Sequence, residues 1–381
     1  MINKIGIDGR YLNKPFTGIG KYTSFIVYYL AKNFPNTNFV VAMPDYPNEN
    51  ISSKFKDLKN VYLIKLNENA LLEKISKGLS KSYYERKTLK KFFEEQACDS
   101  VLIPYPSLYR DNDRKVVMTV HDTIPWTNQE YNRGLKSKLY HQSTLKNLKH
   151  VDHILTVSET SKKDLVRNFK IKESKITVTS NAFENVNYRQ LGLHERLQIL
   201  KKYEVDISRP FIFYIGGFDP RKNVSRLIKL HQRHLRKKGY NLVLGGCKVL
   251  GNKFYDSIED ANKAKDVFVT GFIEEDDMLA FFMEAKAYIT LTKAEGFNMP
   301  LLESITNQCL TFVSDLDVHR EVAKDYAIFL DLKSSNKKLS EEILKVLKSK
   351  NLYADWKSKL KRFKSPYNGN YTAEKTFDIL K

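Results

Sequence analysis

The sequence predicts an α/β protein built as two doubly wound parallel-sheet domains that face a cleft. Three observations carry this expectation. Short β-rich apolar runs alternate with helical stretches along almost the whole chain, the pattern of parallel sheets covered by helices on both faces. The alternation pauses once, across the polar stretch Glu184–Arg209, and a fresh strand begins after Ser208-Arg209-Pro210. A chain of 381 residues also exceeds one ordinary core, so two domains are the natural division.

In chain order, strands are expected at Lys4–Asp8, Asn38–Met43, Val61–Leu66, Ser100–Pro104, Val116–His121, Ile154–Ser158 and Ile176–Thr179. After the pause they are expected at Phe211–Gly216, Leu242–Gly245, Val267–Gly271, Ala287–Leu291, Thr311–Ser314 and Ala327–Leu330. Sheets of this kind bind ligands at the carboxyl ends of their strands, so the strand ends are where chemistry is sought.

Apolar residues at 42% and aromatics at 12% are ample for burial, which argues against global disorder. No apolar run approaches the ~20 residues of a membrane-spanning helix, and the N-terminus enters a strand without a signal-peptide core. Cys98, Cys247 and Cys309 are far apart and lack ligand spacing, which fits a reducing cytosol rather than a disulfide frame or structural zinc. The outlier is charge, 64 Lys+Arg against 44 Asp+Glu for a formal +20. Such an excess suits nucleic acid, anionic lipid or a phosphorylated substrate. The chain has no RNP motif, zinc ligand set or recognition-helix pattern, so nucleic acid is not the expected partner.

Four stretches sit at expected strand ends. Phe16-Thr17-Gly18-Ile19-Gly20-Lys21-Tyr22 follows the first strand and opens a helix, where Gly18 and Gly20 would let backbone approach a ligand, or simply form a tight turn. His121 follows a buried strand and precedes Pro125. It is a candidate to bond a hydroxyl or phosphate, or to accept a proton, with Asp122 fixing its tautomer or capping the next helix; the alternative is a structural histidine. Gly216-Gly217-Phe218-Asp219-Pro220-Arg221-Lys222-Asn223 places two cations before a helix. That is a diphosphate clamp, or an Asn223 cap with two solvated cations. In Ala294-Glu295-Gly296-Phe297-Asn298-Met299-Pro300-Leu301-Leu302-Glu303, Pro300 is expected as the first helical residue, with Glu303 in the first turn and Glu295 in the feeding loop. Amides there make an anion site, and two acceptor side chains beside it suit a ligand with hydroxyls and a phosphate; two solvated acids are the alternative. Asp111-Asn112-Asp113, although D-x-D, reads as a turn, and no metal is assigned.

The set Gly18-Ile19-Gly20, His121-Asp122, Gly216 with Arg221-Lys222-Asn223, and Glu295-Gly-Phe-x-x-Pro-x-x-Glu303 resembles the retaining glycosyltransferases of family 4, which have the GT-B fold. The resemblance runs from Ile5 to near the C-terminus. Ile7-Asp8-Gly9-Arg10 and Val157-Ser158-Glu159 add a likeness to bacterial mannosyltransferase-like enzymes of polysaccharide assembly. It implies an acceptor domain over 1–190, a nucleotide-sugar domain over 208–362, and a C-terminal helix over 363–381 that crosses back to the first domain.

It also implies roles. Glu303 would bind the donor ribose, and Glu295 the donor sugar hydroxyls, with the amides of Gly296, Phe297, Asn298 and Met299 near sugar and phosphate. Lys222, helped by Arg221, would neutralise the departing diphosphate, with Gly216 in the same turn. His121 would line the reacting centre, and Gly18 and Gly20 would contact phosphate or make room for the acceptor. The implied reaction moves a hexose, mannose favoured, from a GDP- or UDP-sugar to a hydroxyl of a glycan or lipid-linked acceptor. It proceeds with retention, without a metal, by same-face attack assisted by the leaving phosphate. A sugar-nucleotide epimerase of the same fold is the alternative, and a basic nucleic-acid-binding protein a more distant one. Two departures stand out: Gly217 occupies a place where many relatives have arginine, and Asn298 replaces a common glycine.

The charge has a location. Arg133, Lys136, Lys138, Lys146 and Lys149 lie between Asn132 and His150 without a carboxylate, and Leu71–Lys91 carries seven cations against Glu73 and Glu85, with Leu71, Leu72, Ile75 and Leu79 at helical spacing. These segments are expected to rest on the inner face of the cytoplasmic membrane, or else to be ordinary solvated helices with buried leucines.

Overall fold

The computed structural model describes residues 2–14, 17–66, 74–128, 134–182, 191–246 and 261–381. Cys247, Leu71, Leu72, Glu73 and Arg133 lie outside them. The chain forms two compact units, Met1–Ala182 with Tyr367–Lys381, and Phe183–Pro366.

The first unit holds a seven-stranded parallel sheet in the order β3-β2-β1-β4-β5-β6-β7. Its strands are β1 (Lys4–Asp8), β2 (Asn38–Met43), β3 (Val61–Lys65), β4 (Ser100–Ile103), β5 (Lys115–Val120), β6 (His153–Thr156) and β7 (Ile176–Val178). The second unit holds a six-stranded parallel sheet, β10-β9-β8-β11-β12-β13. It comprises β8 (Phe211–Ile215), β9 (Asn241–Gly245), β10 (Val267–Gly271), β11 (Ala287–Thr290), β12 (Thr311–Ser314) and β13 (Ile328–Leu330). Every expected strand is present, with ends shifted by a residue or so. The two doubly wound sheets are as the sequence predicted.

The strands read clearly because both faces of each sheet are buried. In β8, Ile212 and Tyr214 join one apolar cluster with Leu242, Leu244, Ile289 and Phe312. Phe211 and Phe213 join another with Val243, Phe281 and Tyr288. Alternate side chains therefore serve opposite layers, each contributing about 1.5–3 kcal/mol when fully buried. In each sheet the winding reverses once, between β1 and β4 and between β8 and β11.

The polar pause needs correction. Part of it, Leu193–Lys202, is a helix of the second unit. It buries Leu200, and Arg196 Nε donates to Glu284 Oε1 at 2.5 Å on the helix Met278–Glu284. Its narrow apolar face, between charged residues, hid it from a reading of composition. At the other end, the helix Gly369–Leu380 packs on the helix Gly18–Asn33. Phe377 stacks on Phe34 at 3.7 Å, and a Cβ at Gly369 would lie 2.6 Å from the Tyr29 ring.

Candidate active site

The second unit concentrates the expected residues where its winding reverses. β8 and β11 are neighbours, so the loops leaving their carboxyl ends lie side by side, the place where such sheets hold ligands. Gly216 ends β8 at φ 153°, and a Cβ there would lie 2.8 Å from the Tyr214 hydroxyl, which donates to the Gly217 carbonyl at 2.6 Å. The turn Pro220–Lys222 then leads through Asn223, left-handed at φ 58°, into the helix Val224–Leu230. Asn223 sits at the cap position but its side chain does not cap. Its Nδ2 donates across to the Leu291 carbonyl at 3.0 Å, while Lys293 N donates to the Arg221 carbonyl at 2.8 Å. These bonds stitch the two loops together.

The stitching brings three expected residues into one cluster. Lys222 Nζ meets Glu295 Oε1 at 2.6 Å, and Arg221 Nη1 meets Glu295 Oε2 and the Ala294 carbonyl, each at 2.7 Å. Arg221 Nε also lies 3.4 Å from Asp219 Oδ1. Burial alone would raise the pKa of Glu295, yet Lys222 and Arg221 outweigh it and hold the carboxyl at about 2. Glu295 is therefore a permanent anion at neutral pH and a poor proton acceptor. It is suited to receive hydrogen bonds from hydroxyls, and Arg221 and Lys222 are not the solvated cations of the alternative reading.

Asn298 stands at the cap of the helix Met299–Thr306 with φ 72°, and the Leu301 amide donates to its carbonyl at 3.0 Å. The helix starts at Met299, one residue before Pro300, and the buried Glu303 falls just beyond its first turn. A left-handed backbone favours glycine, which accounts physically for a glycine being common at this position.

The first unit places Gly18, Gly20 and His121. Thr17 caps the helix Gly18–Asn33, its Oγ1 accepting from Gly20 N at 3.0 Å. Gly20 owes its lack of a side chain to the protein itself, because a Cβ would lie 2.1 Å from the Lys14 carbonyl oxygen. Around Gly18 a Cβ would meet nothing within 4 Å, so Gly18 is the one of the pair with open space.

His121 follows β5, and its Nε2 lies 2.8 Å from the Pro104 carbonyl. A carbonyl only accepts, so Nε2 carries the proton and Nδ1 presents a lone pair. Burial draws the pKa to about 4, only partly opposed by the Pro104 bond, so the ring is neutral at pH 7. The Pro104 carbonyl sets the tautomer, and Asp122 Oδ1 accepts from the Ile124 amide at 2.9 Å, ahead of the short helix Ile124–Thr127. Asp111 is a turn residue, as read. Its oxygens accept from Asp113 N at 3.0 Å, from the Tyr109 hydroxyl at 3.0 Å and from Arg114 Nε at 2.8 Å.

Two arrangements escaped the sequence. Where the first sheet reverses, Arg10 bridges Asp8 Oδ2 at 3.2 Å and Glu85 Oε1 at 3.0 Å, the Tyr105 hydroxyl donates to Asp8, and the Tyr140 hydroxyl to Glu85 at 2.9 Å. Asp8 and Glu85 are fully buried. In the second unit, the buried His319 bonds Asn298, with Nε2 and Nδ2 2.9 Å apart. The available signal was position, since His319 lies in the helix Asp317–Ala323 that follows the carboxyl end of β12.

Two doubly wound parallel-sheet units, of seven and six strands, make this a protein of the GT-B fold class. Solved structures share this fold. WaaG, a glycosyltransferase involved in lipopolysaccharide biosynthesis, matches at TM-score 0.76 and 14% identity over 99% of each chain. Anabaena HepE in complex with UDP-glucose matches at 0.68 and 12% over 100% of this chain and 96% of that one. Residues 27–184 match the family model Glycosyltransferase Family 4, and residues 195–363 match Glycosyl transferases group 1. The chain belongs to these glycosyltransferases. Its curated relatives include O-antigen chain mannosyltransferase B of Escherichia coli, 23% identical over 83% of this chain and 84% of that protein. Another is the O-antigen chain mannosyltransferase RfbU of Salmonella typhimurium, 23% identical over 59% of this chain and 63% of that protein.

Proposed function

We propose that this glycosyltransferase moves a hexose, mannose favoured, from a nucleotide sugar to a hydroxyl of a glycan or lipid-linked acceptor in surface-polysaccharide assembly, with retention at the anomeric carbon. The observation that carries the reading is the cluster of Lys222, Arg221 and Glu295 where the second sheet reverses. Two cations beside a helix start would hold the diphosphate and neutralise the charge that develops as it departs, without a resident metal. Glu295 would take hydroxyls of the donor sugar, and the buried Glu303 the ribose. His121, neutral and with Nε2 committed, would accept a hydroxyl hydrogen bond at Nδ1 rather than donate one. With Glu295 held at about 2, a leaving phosphate oxygen is the better base for the acceptor proton, which favours same-face attack and retention. Mannose is favoured by the two curated relatives named above, which are O-antigen mannosyltransferases.

Screening GDP-mannose and the common UDP-hexoses tests the donor. A nucleotide sugar that binds only the folded state raises Tm, by an amount worth about 2.7 kcal/mol at a hundred times its Kd. The expected result is protection by GDP-mannose above the rest, with nucleotide release that requires an acceptor. Epimerisation without release would favour the epimerase, and protection by none of the sugars would overturn the reading.

The basic segments of the first unit extend the proposal to a membrane. Ile75 is 72% exposed, Leu79 55%, Tyr83 44%, Leu135 73% and Leu139 53%. The leucines at 79, 135 and 139 are not buried, as ordinary solvated helices would have them. The segments adjoin, because Lys81 Nζ sits 4.1 Å from the centroid of the Tyr140 ring. Exposed aliphatics among lysines suit an anionic bilayer surface, where each cation contributes about 1 kcal/mol. Among the described residues no helix is long and apolar enough to cross a membrane, and the reading is peripheral attachment on the cytoplasmic face. The chain is expected to sediment with phosphatidylglycerol vesicles at low salt and to release at high salt. Absence of binding at low salt would contradict it.

A further inference from the structure

The loop between Glu295 and Glu303 contains a left-handed residue at which a side chain, and not glycine, is present. Asn298 is left-handed at φ 72° and ψ 71°, a region that asparagine enters more readily than most residues but that glycine adopts without support. The neighbour here is specific. His319 is fully buried, and its Nδ1 lies 2.7 Å from the Ser314 carbonyl. That carbonyl can only accept, so Nδ1 is protonated and Nε2 offers its lone pair. Asn298 Nδ2, 2.9 Å away, donates to it. The amide group of Asn298 is thereby fixed in one sense, with its NH₂ end committed to His319 and its carbonyl end turned the other way.

A second tie runs to the beginning of the same loop. Ser314 Oγ donates to the Thr292 carbonyl at 2.5 Å, and Thr292 Oγ1 lies 3.2 Å from the Ala294 carbonyl and 3.3 Å from that of Arg221. The end of β12 thus holds the donor loop from two sides. One hold is beside Arg221 and Glu295, and the other is at Asn298, where the loop enters its helix. The Ser314 hold is built on the main chain and hydroxyls. The Asn298 hold is a side-chain pair.

We propose that His319 is a positioning residue which, through Asn298, sets the path of the loop from Gly296 to Met299 and so decides how well the donor's sugar fits, while leaving the diphosphate to Lys222 and Arg221. The proposal rests on the donor reading above. It assigns His319 to sugar recognition and not to phosphate binding, and this separation makes it testable.

The test is calorimetric titration of the full chain and of His319→Ala and His319→Gln with GDP-mannose and GDP, with UDP-glucose and UDP in parallel. For His319→Ala the affinity for the nucleotide sugar is expected to fall about tenfold while that for the bare diphosphate stays within about twofold. Gln, which can still accept from Asn298, should recover most of the loss. In an Asn298→Gly background, where the left-handed backbone needs no hold, His319→Ala should add less than about twofold, since partners in one contact are not additive. Parallel weakening of sugar nucleotide and diphosphate, or an equal His319→Ala effect in both backgrounds, would overturn the proposal by reducing His319 to a packing residue. Unchanged binding in His319→Ala would overturn it as well. Failure of the donor reading is distinguishable, because wild-type protein would then bind none of the four nucleotides.

Discussion

Replacing Glu295 by Gln is expected to lower transfer by about 10²–10³-fold, the range seen when one electrostatic partner of a transition state is removed. Gln keeps the volume and one accepting oxygen but turns an NH₂ toward Lys222 and Arg221, which are themselves donors at 2.6 and 2.7 Å. The signature is a split between kinetic constants. Removing the anion leaves the two cations less neutralised and more attractive to a diphosphate, so donor KM should hold or fall while kcat collapses. Steady-state rates measured against donor concentration read both constants, and kcat within about twofold of wild type would contradict the assignment. The fold should survive, since Asp219 still faces Arg221 at 3.4 Å. Acid is not a substitute for this variant. The carboxyl is depressed from 4.5 to about 2, so the stabilisation from its ionised form is complete above pH 4.5 and is lost only as pH falls through 2. An acid limb of activity near pH 6 would have to come from another group.

Replacing Lys222 by Ala is expected to act on both constants. In the proposed reaction Lys222 would supply a cation to the departing diphosphate, so its loss should cost about 10²–10³-fold in kcat and also raise donor KM. The direction on KM separates it from Glu295→Gln, although the two groups are in contact. Glu295 would keep Arg221 alone, and its pKa should rise from the depressed value. Arginine at 222 should restore charge but not the compact ammonium geometry, and recover only part of the rate.

These two variants concern residues that the sequence marked. Parallel strands buried on both faces read as nearly continuous apolar runs, so the sheets and the loops at their carboxyl ends were legible from β1 to β13. Lys222 and Glu295 were found because each follows such a run. Their contact was not legible, since it depends on β8 and β11 becoming neighbours across 73 residues of chain. The same limit hid His319, whose partner is 21 residues away and reached only through the turn after β12. It hid the tautomer of His121, set by a carbonyl that β4 brings alongside β5. Gly20 shows the converse. A glycine in a strand-end loop suggested ligand contact or a tight turn, and the Lys14 carbonyl occupies the place where a Cβ would go. The left-handed state of Asn298 leaves no trace in periodicity, because asparagine adopts it without a turn motif.

The central claim is that Lys222 and its neighbours form the diphosphate subsite of the donor. Titration of GDP and UDP into wild type and Lys222→Ala tests it most directly. The account predicts binding of one nucleotide per chain in wild type and at least about tenfold weaker binding in the variant, with the difference shrinking as salt rises. Equal affinity in the two proteins would contradict it.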